Sequence, residues 1–251
     1  MSEQSVRGLT LKAVYLQATT GSDYLLQDIS CQLEWRTKVG VVGASGAGKT
    51  SLLRLLNRLV SPSQGHIDYG KLQTLTKNPS QLRRQIVLVP QEPKLLGMTV
   101  VEALGYPLRL QQLPESTIRQ RRDTWLELLR IPSEWREKTE LQLSLGQRQL
   151  VAIARSLMMQ PQVLLLDEPT SALDRATATH LLELLDKLNQ TQGLTIVMVN
   201  HQWELIKEFC DRLWFVEQGK LLHNLAATPE HWQQLQQQLQ QFQTQQDQEW
   251  S

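Results

Sequence analysis

Apolar and polar residues alternate near the start of the chain, first at Leu9, Leu11 and Ala13, then at Ile29, Cys31, Leu33 and Trp35. A period of two is that of a half-buried strand, so both stretches predict β-structure. Between them Thr19-Thr20-Gly21-Ser22-Asp23 is turn chemistry. Val39 to Val42 is a short apolar strand running into glycine. Thr50 to Leu59 then carries Leu52, Leu53, Leu55, Leu56 and Leu59 at helical spacing before Ser61-Pro62. Ile86 to Val89 is a β-branched run stopped by Pro90.

From Thr99 to Glu140 the pattern turns helical, with Leu104, Leu108, Leu110, Ile118, Trp125, Leu126, Leu128 and Leu129 on apolar faces and a charged face at Arg119 to Asp123. Gly146 to Met159 predicts another helix. Val163 to Leu166, Thr195 to Val199 and Leu213 to Val216 predict strands, and Ala176 to Leu188 a leucine-rich helix. Strands alternating with helices imply an α/β fold with a mostly parallel sheet, an antiparallel β region from the amino-terminal strands and an inserted helical subdomain, about 94–142. Residues 5–228 form the expected domain, and 229–251 a glutamine-rich tail. Trp232, Leu235, Leu239 and Phe242 share a helical face there, which allows either an amphipathic helix or a solvated end.

Composition narrows the partners. The 251 residues are 41% hydrophobic and 20% charged with a net charge of +1, which gives no electrostatic footprint for nucleic acid. Cys31 and Cys210 have neither disulfide-framework nor metal spacing and read as small buried hydrophobes in a reducing compartment. Met1 to Lys12 lacks the apolar stretch of a signal peptide, and no apolar run approaches the ~18 residues that span a bilayer. The expectation is a soluble chain whose membrane connection, if any, runs through a partner.

The chemistry concentrates in two segments. Gly43-Ala44-Ser45-Gly46-Ala47-Gly48-Lys49-Thr50 fills every position of a phosphate-binding loop, between a predicted strand and a predicted helix. Its glycines let successive N–H groups point inward as an anion nest, and the helix amino terminus favours the same charge. Lys49 supplies a mobile cation, Thr50 a hard oxygen for Mg²⁺, and Ser51 completes the phosphate set. At the carboxyl end of the Val163 strand stand Asp167 and Glu168, where ligands bind in open α/β sheets. Asp167 is the candidate Mg²⁺ ligand and Glu168 the general base for water. A pair that merely caps the next helix is the alternative.

Leu143-Ser144-Leu145-Gly146-Gln147, shortly before Asp167-Glu168-Pro169, resembles the signature motif of ATP-binding cassette (ABC) ATPases, members of the P-loop NTPase fold. Gln91 after Pro90 resembles their Q-loop, Ser171-Ala172-Leu173-Asp174 their D-loop, and His201 their switch histidine. The ordered set runs from about Leu9 to Leu222. The resemblance implies a head-to-tail homodimer that holds ATP and Mg²⁺ between the phosphate loop of one copy and Ser144, Leu145, Gly146 and Gln147 of the other. It also implies that Gln91 touches Mg²⁺ or the attacking water and that His201 contacts the γ-phosphate and orients the water, with Asp174 as the D-loop aspartate.

Four departures stand out. Leu145 replaces the first signature glycine and Leu150 a common arginine. Thr37-Lys38 replaces a Gly-Glu turn. Ala18 falls where an aromatic often stacks on adenine, leaving Tyr15 or Tyr24 for that role.

The implied job is that of a transporter subunit, cytoplasmic and peripheral on the inner membrane face, that drives a separate permease docked near Gln91 to Arg109. Pro90 to Val100, the Leu145 variant and Gly193 to His201 are most similar to subunits of metal or iron efflux and aluminium tolerance. Amino-acid and phosphate importer subunits are neighbouring readings. A soluble ABC ATPase acting on DNA or ribosomes fits less well, because the Lys49 to Ser144 interval is too short for a coiled coil and only one cassette is present. A non-hydrolysing module conflicts with intact Lys49, Asp167, Glu168 and His201.

Overall fold

The computed structural model describes residues 8–18, 21 and 23–238. Strands β1 (Gly8–Gln17), β2 (Tyr24–Glu34) and β4 (Gln64–Asp68) form an antiparallel sheet in the order β2-β1-β4. The second sheet has the order β5-β6-β7-β3-β8-β9, from β3 (Lys38–Val42), β5 (Ile86–Val89), β6 (Val163–Asp167), β7 (Thr195–Val199), β8 (Arg212–Glu217) and β9 (Lys220–Ala226). Its first five strands pair in parallel and β9 is antiparallel to β8. Both faces of β6 and β7 are covered, which is why they read as unbroken apolar runs rather than alternating ones.

Two apolar layers sandwich this sheet. Helix α1 (Lys49–Leu56) lies with the antiparallel sheet over one face, burying Leu52, Leu53, Leu55 and Leu56 completely. Helices α3 (Val100–Arg109), α4 (Glu115–Leu128), α5 (Leu145–Met158) and α6 (Arg175–Gln192) supply the other. Helix α3 starts from a capping box in which Thr99 Oγ1 accepts from Glu102 N and Glu102 Oε2 accepts from Thr99 N. Cys31 and Cys210 are buried and free, as their spacing suggested. Burial pushes the Cys31 thiol up to about 12 and Cys210 higher still, so neither is a thiolate at neutral pH.

Periodicity misplaced several side chains. The alternation of Leu9, Leu11 and Ala13 breaks at a β-bulge: Ala13 has φ 46° and is exposed, and Val14 and Leu16 take over the buried face. Trp35 lies in the turn after β2 rather than in the strand. Leu59 is exposed because α1 ends at Leu56 and Arg58 turns left-handed at φ 55°. Leu110 and Leu128 are also exposed, at the ends of α3 and α4. The pattern also missed β4, β9, helix α2 (Pro79–Gln85), the 3-10 segment Gly70–Lys77 and helix α7 (Trp203–Phe209), which are short, polar or both.

In the sequence called a tail, residues 229–238 are helical, and Trp232 and Leu235 are buried in the main core. Leu239 and Phe242 lie outside the described residues, as do Thr19, Thr20 and Ser22 of the first turn. Among the described residues no helix is long and apolar enough to cross a membrane.

Candidate functional site

The loop of Gly43 to Gly48 leaves the carboxyl end of β3, at the sheet's centre, and opens α1. Its shape depends on glycine at two places. Gly43 has φ 152°, and a Cβ there would stand 1.9 Å from the Val216 carbonyl oxygen of β8. Gly48 has φ 104°, and a Cβ would meet Leu26 Cδ2 at 2.8 Å and the Leu25 carbonyl oxygen at 2.9 Å. The turn between β8 and β9 braces the loop from outside, Gly219 N donating to the Ala47 carbonyl at 3.0 Å. Ser45 and Gly46 face solvent, ready to meet a ligand.

Lys49 is buried, its Nζ donating to the carbonyls of Gly43 (2.9 Å) and Ala44 (2.6 Å) at the mouth of the loop. Burial lowers its pKa, against the opposing pull of Glu168, Asp167 and Glu217. Thr50 Oγ1 donates to Asp167 Oδ2 at 2.8 Å, joining the start of α1 to the end of β6. Hydroxyl and carboxylate side by side are hard oxygen donors. That set suits Mg²⁺, which keeps most of its shell as water and phosphate oxygen. Among the described residues there is no group of three or more His, Cys, Asp or Glu that could hold a metal ion.

Asp167 is buried, and burial raises its pKa; the Thr50 hydrogen bond opposes the rise. The folded chain therefore binds this proton more tightly than the unfolded chain. Stability is lost as pH rises from the ordinary value of 3.8 through the raised one. Asp167→Asn keeps an acceptor for Thr50 and removes the buried charge. It is expected to raise the unfolding temperature at pH 7 without nucleotide, by about 2–4 °C for each kcal/mol recovered, the gain shrinking toward pH 3.8. Mg²⁺-dependent hydrolysis is expected to disappear in the same variant. An unfolding temperature at or below the parent's at pH 7 contradicts this electrostatic account.

Glu168, next along, adopts φ 51°, a left-handed conformation that a non-glycine residue holds at a cost of about 1–3 kcal/mol. The twist sends its side chain away from Asp167, and its N–H donates to the Val199 carbonyl at 2.9 Å. Its carboxylate gathers the two motifs that sequence placed far away. Gln91 Nε2 donates to Oε2 at 3.0 Å, and His201 Nε2 lies 2.9 Å from Oε1. Glu168 is mostly covered and His201 half exposed, so the carboxylate is held and the imidazole faces the cleft. A buried polar chain fixes the loop beneath: Asn200 Nδ2 donates to Thr170 Oγ1 at 2.7 Å, and Gln202 N donates to Asn200 Oδ1 at 3.0 Å. No motif marked Thr170 or Asn200; the only signal was a polar residue beside each motif.

These groups line one cleft of about 450 Å³: Ser45, Gly46, Gly48, Lys49, Thr50, Ser51, Gln91, Glu168 and His201, together with Tyr24, Leu25, Gln218 and Gly219. Of the two tyrosines offered for adenine, Tyr24 lines this cleft and Tyr15 does not. Tyr15 supports Tyr24 edge-on, with ring centroids 5.6 Å apart at 68°. Leu25, Gln218 and Gly219 were not found from sequence, since they come from an ordinary strand and a hairpin turn.

The signature segment lies elsewhere. Ser144 caps α5, its Oγ accepting from Gln147 N at 3.2 Å while Gln147 Oε1 accepts from Ser144 N at 2.9 Å. Leu145 is the first helical residue and does not need a positive φ, so its N–H keeps the position a glycine would give it. Asp174 caps α6 through Thr177 N (3.0 Å) and Thr177 Oγ1 (2.7 Å); these bonds hold its carboxyl below the usual range. Ser144, Gly146, Gln147 and Asp174 border a second cleft of about 460 Å³. None of the four borders the phosphate-loop cleft of the same chain.

Residues 26–171 match the family model described as ABC transporter. The chain is 38% identical over 215 residues to the methionine import ATP-binding protein MetN of Francisella tularensis subsp. holarctica, an alignment covering 84% of this chain and 61% of the relative. It thus spans about three fifths of the length of that curated relative. Among solved structures, the dimeric post-hydrolysis state of the ATP-binding cassette MJ0796 bound to ADP and Pi superposes with a TM-score of 0.81. That pair is 27% identical, with 88% of this chain and 99% of the other covered. The cbiO1 protein of Clostridium perfringens, described as part of the ABC transporter complex cbiONQ, gives 0.76 at 27% identity, covering 88% and 89%.

Proposed function

This chain belongs to the ABC transporter family, and we propose that it binds and hydrolyses ATP as the energising subunit of such a transporter. The observation that carries the reading is the Glu168 carboxylate, held between Gln91 and His201 beside the Lys49–Thr50–Asp167 cradle. The N–H groups of residues 43–51 and the Lys49 ammonium take the β- and γ-phosphates, and Tyr24 offers its ring to the adenine. Thr50, Asp167 and Gln91 would hold Mg²⁺, whose charge would offset that of the phosphate oxygens. Glu168 accepts a proton from the attacking water, and His201 orients that water against the γ-phosphate. Because Gln91 gives its amide N–H to Glu168, its carbonyl oxygen is the atom left for the ion.

The site is completed by a second copy. Ser144 to Gln147 start a helix whose N–H groups suit a γ-phosphate, yet Ser144, Gly146 and Gln147 border a different cleft from Lys49. A head-to-tail dimer brings one copy's signature to the other's loop, with Asp174 at the contact. The dimeric MJ0796 cassette supports that assembly by its similarity.

A separate membrane permease on the cytoplasmic face receives the resulting motion. For the cargo, the relatives favour uptake of a small amino acid such as methionine. The expected metal or iron efflux gains no support from them. Solubilising native membranes in detergent and isolating this chain is expected to recover a multi-spanning partner, and vesicles made from the pair with ATP trapped in their lumen should take up labelled methionine from outside. Recovery with ribosomes or DNA alone overturns the transport reading. A pair that expels solute and imports none overturns the import reading.

A further inference from the structure

Three carboxylates act on Lys49: Glu168, Asp167 and Glu217. The first two have roles in hydrolysis, and Glu217 has none. It is the last residue of β8, is 4% exposed, and lies two strands, β7 and β3, away from the strand of Asp167, since the order is β6-β7-β3-β8. Its Oε2 lies 3.4 Å from Ala44 N, a long contact in which charge matters more than hydrogen-bond geometry. Glu217 thus puts a negative charge behind a loop otherwise built to attract anions. The backbone after it, Gln218 and Gly219, lines the nucleotide cleft, and Gly219 braces Ala47. The loop has that backbone brace whether or not residue 217 is charged.

Resting on the nucleotide-binding reading above, we propose that Glu217 is an affinity-setting residue: its buried charge opposes the triphosphate from behind the loop and keeps nucleotide binding weaker than the cradle alone would make it. Like charges in a partly buried setting are screened less than at the surface, so the opposition survives at ordinary ionic strength. Weaker binding favours release of product, which the cycle of such a site requires.

The sign of the effect separates this from a purely structural role. The intact chain is titrated with a fluorescent ATP analogue and competing ATP, with Mg²⁺ chelated so that binding is read without hydrolysis. Glu217→Gln keeps an acceptor for Ala44 N–H and removes the charge. It is expected to bind ATP roughly 3- to 10-fold more tightly than the parent, the size of a like charge removed at this range. Glu217→Ser is measured beside it, so that a folding defect in one neutral variant leaves the other. Glu217→Asp, which keeps the charge, is expected to stay within about twofold of the parent. A folded neutral variant that binds ATP equally or more weakly overturns the proposal and leaves the nucleotide site standing. A parent chain that fails to bind ATP removes the nucleotide reading itself and the proposal with it.

Discussion

Replacing Glu168 by glutamine is expected to lower the ATPase kcat by about 10²- to 10⁴-fold, the range general-base catalysis contributes, while ATP still binds. The amide has nearly the shape of the carboxylate and can still meet Gln91 and His201, the two side chains found at 3.0 and 2.9 Å. It has no basic oxygen for the proton of water. Lys49, Thr50 and Asp167, the residues proposed to hold the phosphates and the ion, are untouched. If the proposed two-copy site is right, nucleotide bound without turnover should hold the copies together, and the variant should elute as a dimer in ATP and as a monomer after ATP is removed. Turnover at the parent rate would falsify the assignment of Glu168 as the base. A slow variant that never dimerises would keep the base and remove the two-copy site.

The second large effect is expected at Gly146. A Cβ there would stand 2.3 Å from the Ala172 carbonyl oxygen and 3.3 Å from Leu173 Cδ2. Neither a backbone carbonyl nor the helix carrying Gly146 yields cheaply, so Gly146→Ala must push α5 and the Ser171–Asp174 turn apart. Overpacking of this kind costs about 1–3 kcal/mol, an unfolding temperature lower by several degrees in a chain of this size. The functional loss should be larger than the stability loss. Ser144 and Asp174 cap the two helices on either side of the contact, and a dimer site needs both in register. The ATPase rate is expected to fall about 10- to 100-fold, the cost of misplacing a positioned group by about 1 Å. Binding of ATP to the single chain should be unchanged, because Gly146 is remote from the Lys49 cleft. Leu145→Gly is the matching control. It relieves no clash and should alter the rate little. A Gly146→Ala enzyme of parent activity would show that the α5 contact with the Ser171–Asp174 turn does not set the signature.

Gly146 also shows where reading along the chain reaches its limit. The motif named the residue, and a neighbouring glycine position had already accepted leucine. Nothing in the order of residues explained why one glycine could change and the other could not. The structure answers with the Ala172 carbonyl: position 145 begins a helix with one side open, and position 146 is pressed against backbone. In the same way, alternation placed Ala13 inside and Trp35 in a strand. The bulge opposite Ser30, whose Oγ accepts from Ala13 N at 2.9 Å, reversed the first, and the turn before β3 claimed the second. Strand β4 left no periodic trace because it is polar and has no buried residue, and α7 because seven residues are too few to show a helical period even though Ile206 and Phe209 are buried.

What the linear order determined is local chemistry: a glycine-rich turn between strand and helix, paired acids at a strand end, and the sequence of motifs that resembles one family. Such features depend on backbone freedom and side-chain type within a few residues, so they survive being read one after another. The meeting of Gln91 and His201 on a single carboxylate, the choice of Tyr24 over Tyr15, the carboxylate of Glu217 behind the loop, and the separation of Ser144 from Lys49 were decided only by tertiary structure. Each depends on how segments far apart in sequence pack together, beginning with the strand order β5-β6-β7-β3-β8, which no segment sets alone and in which two apolar layers are buried jointly.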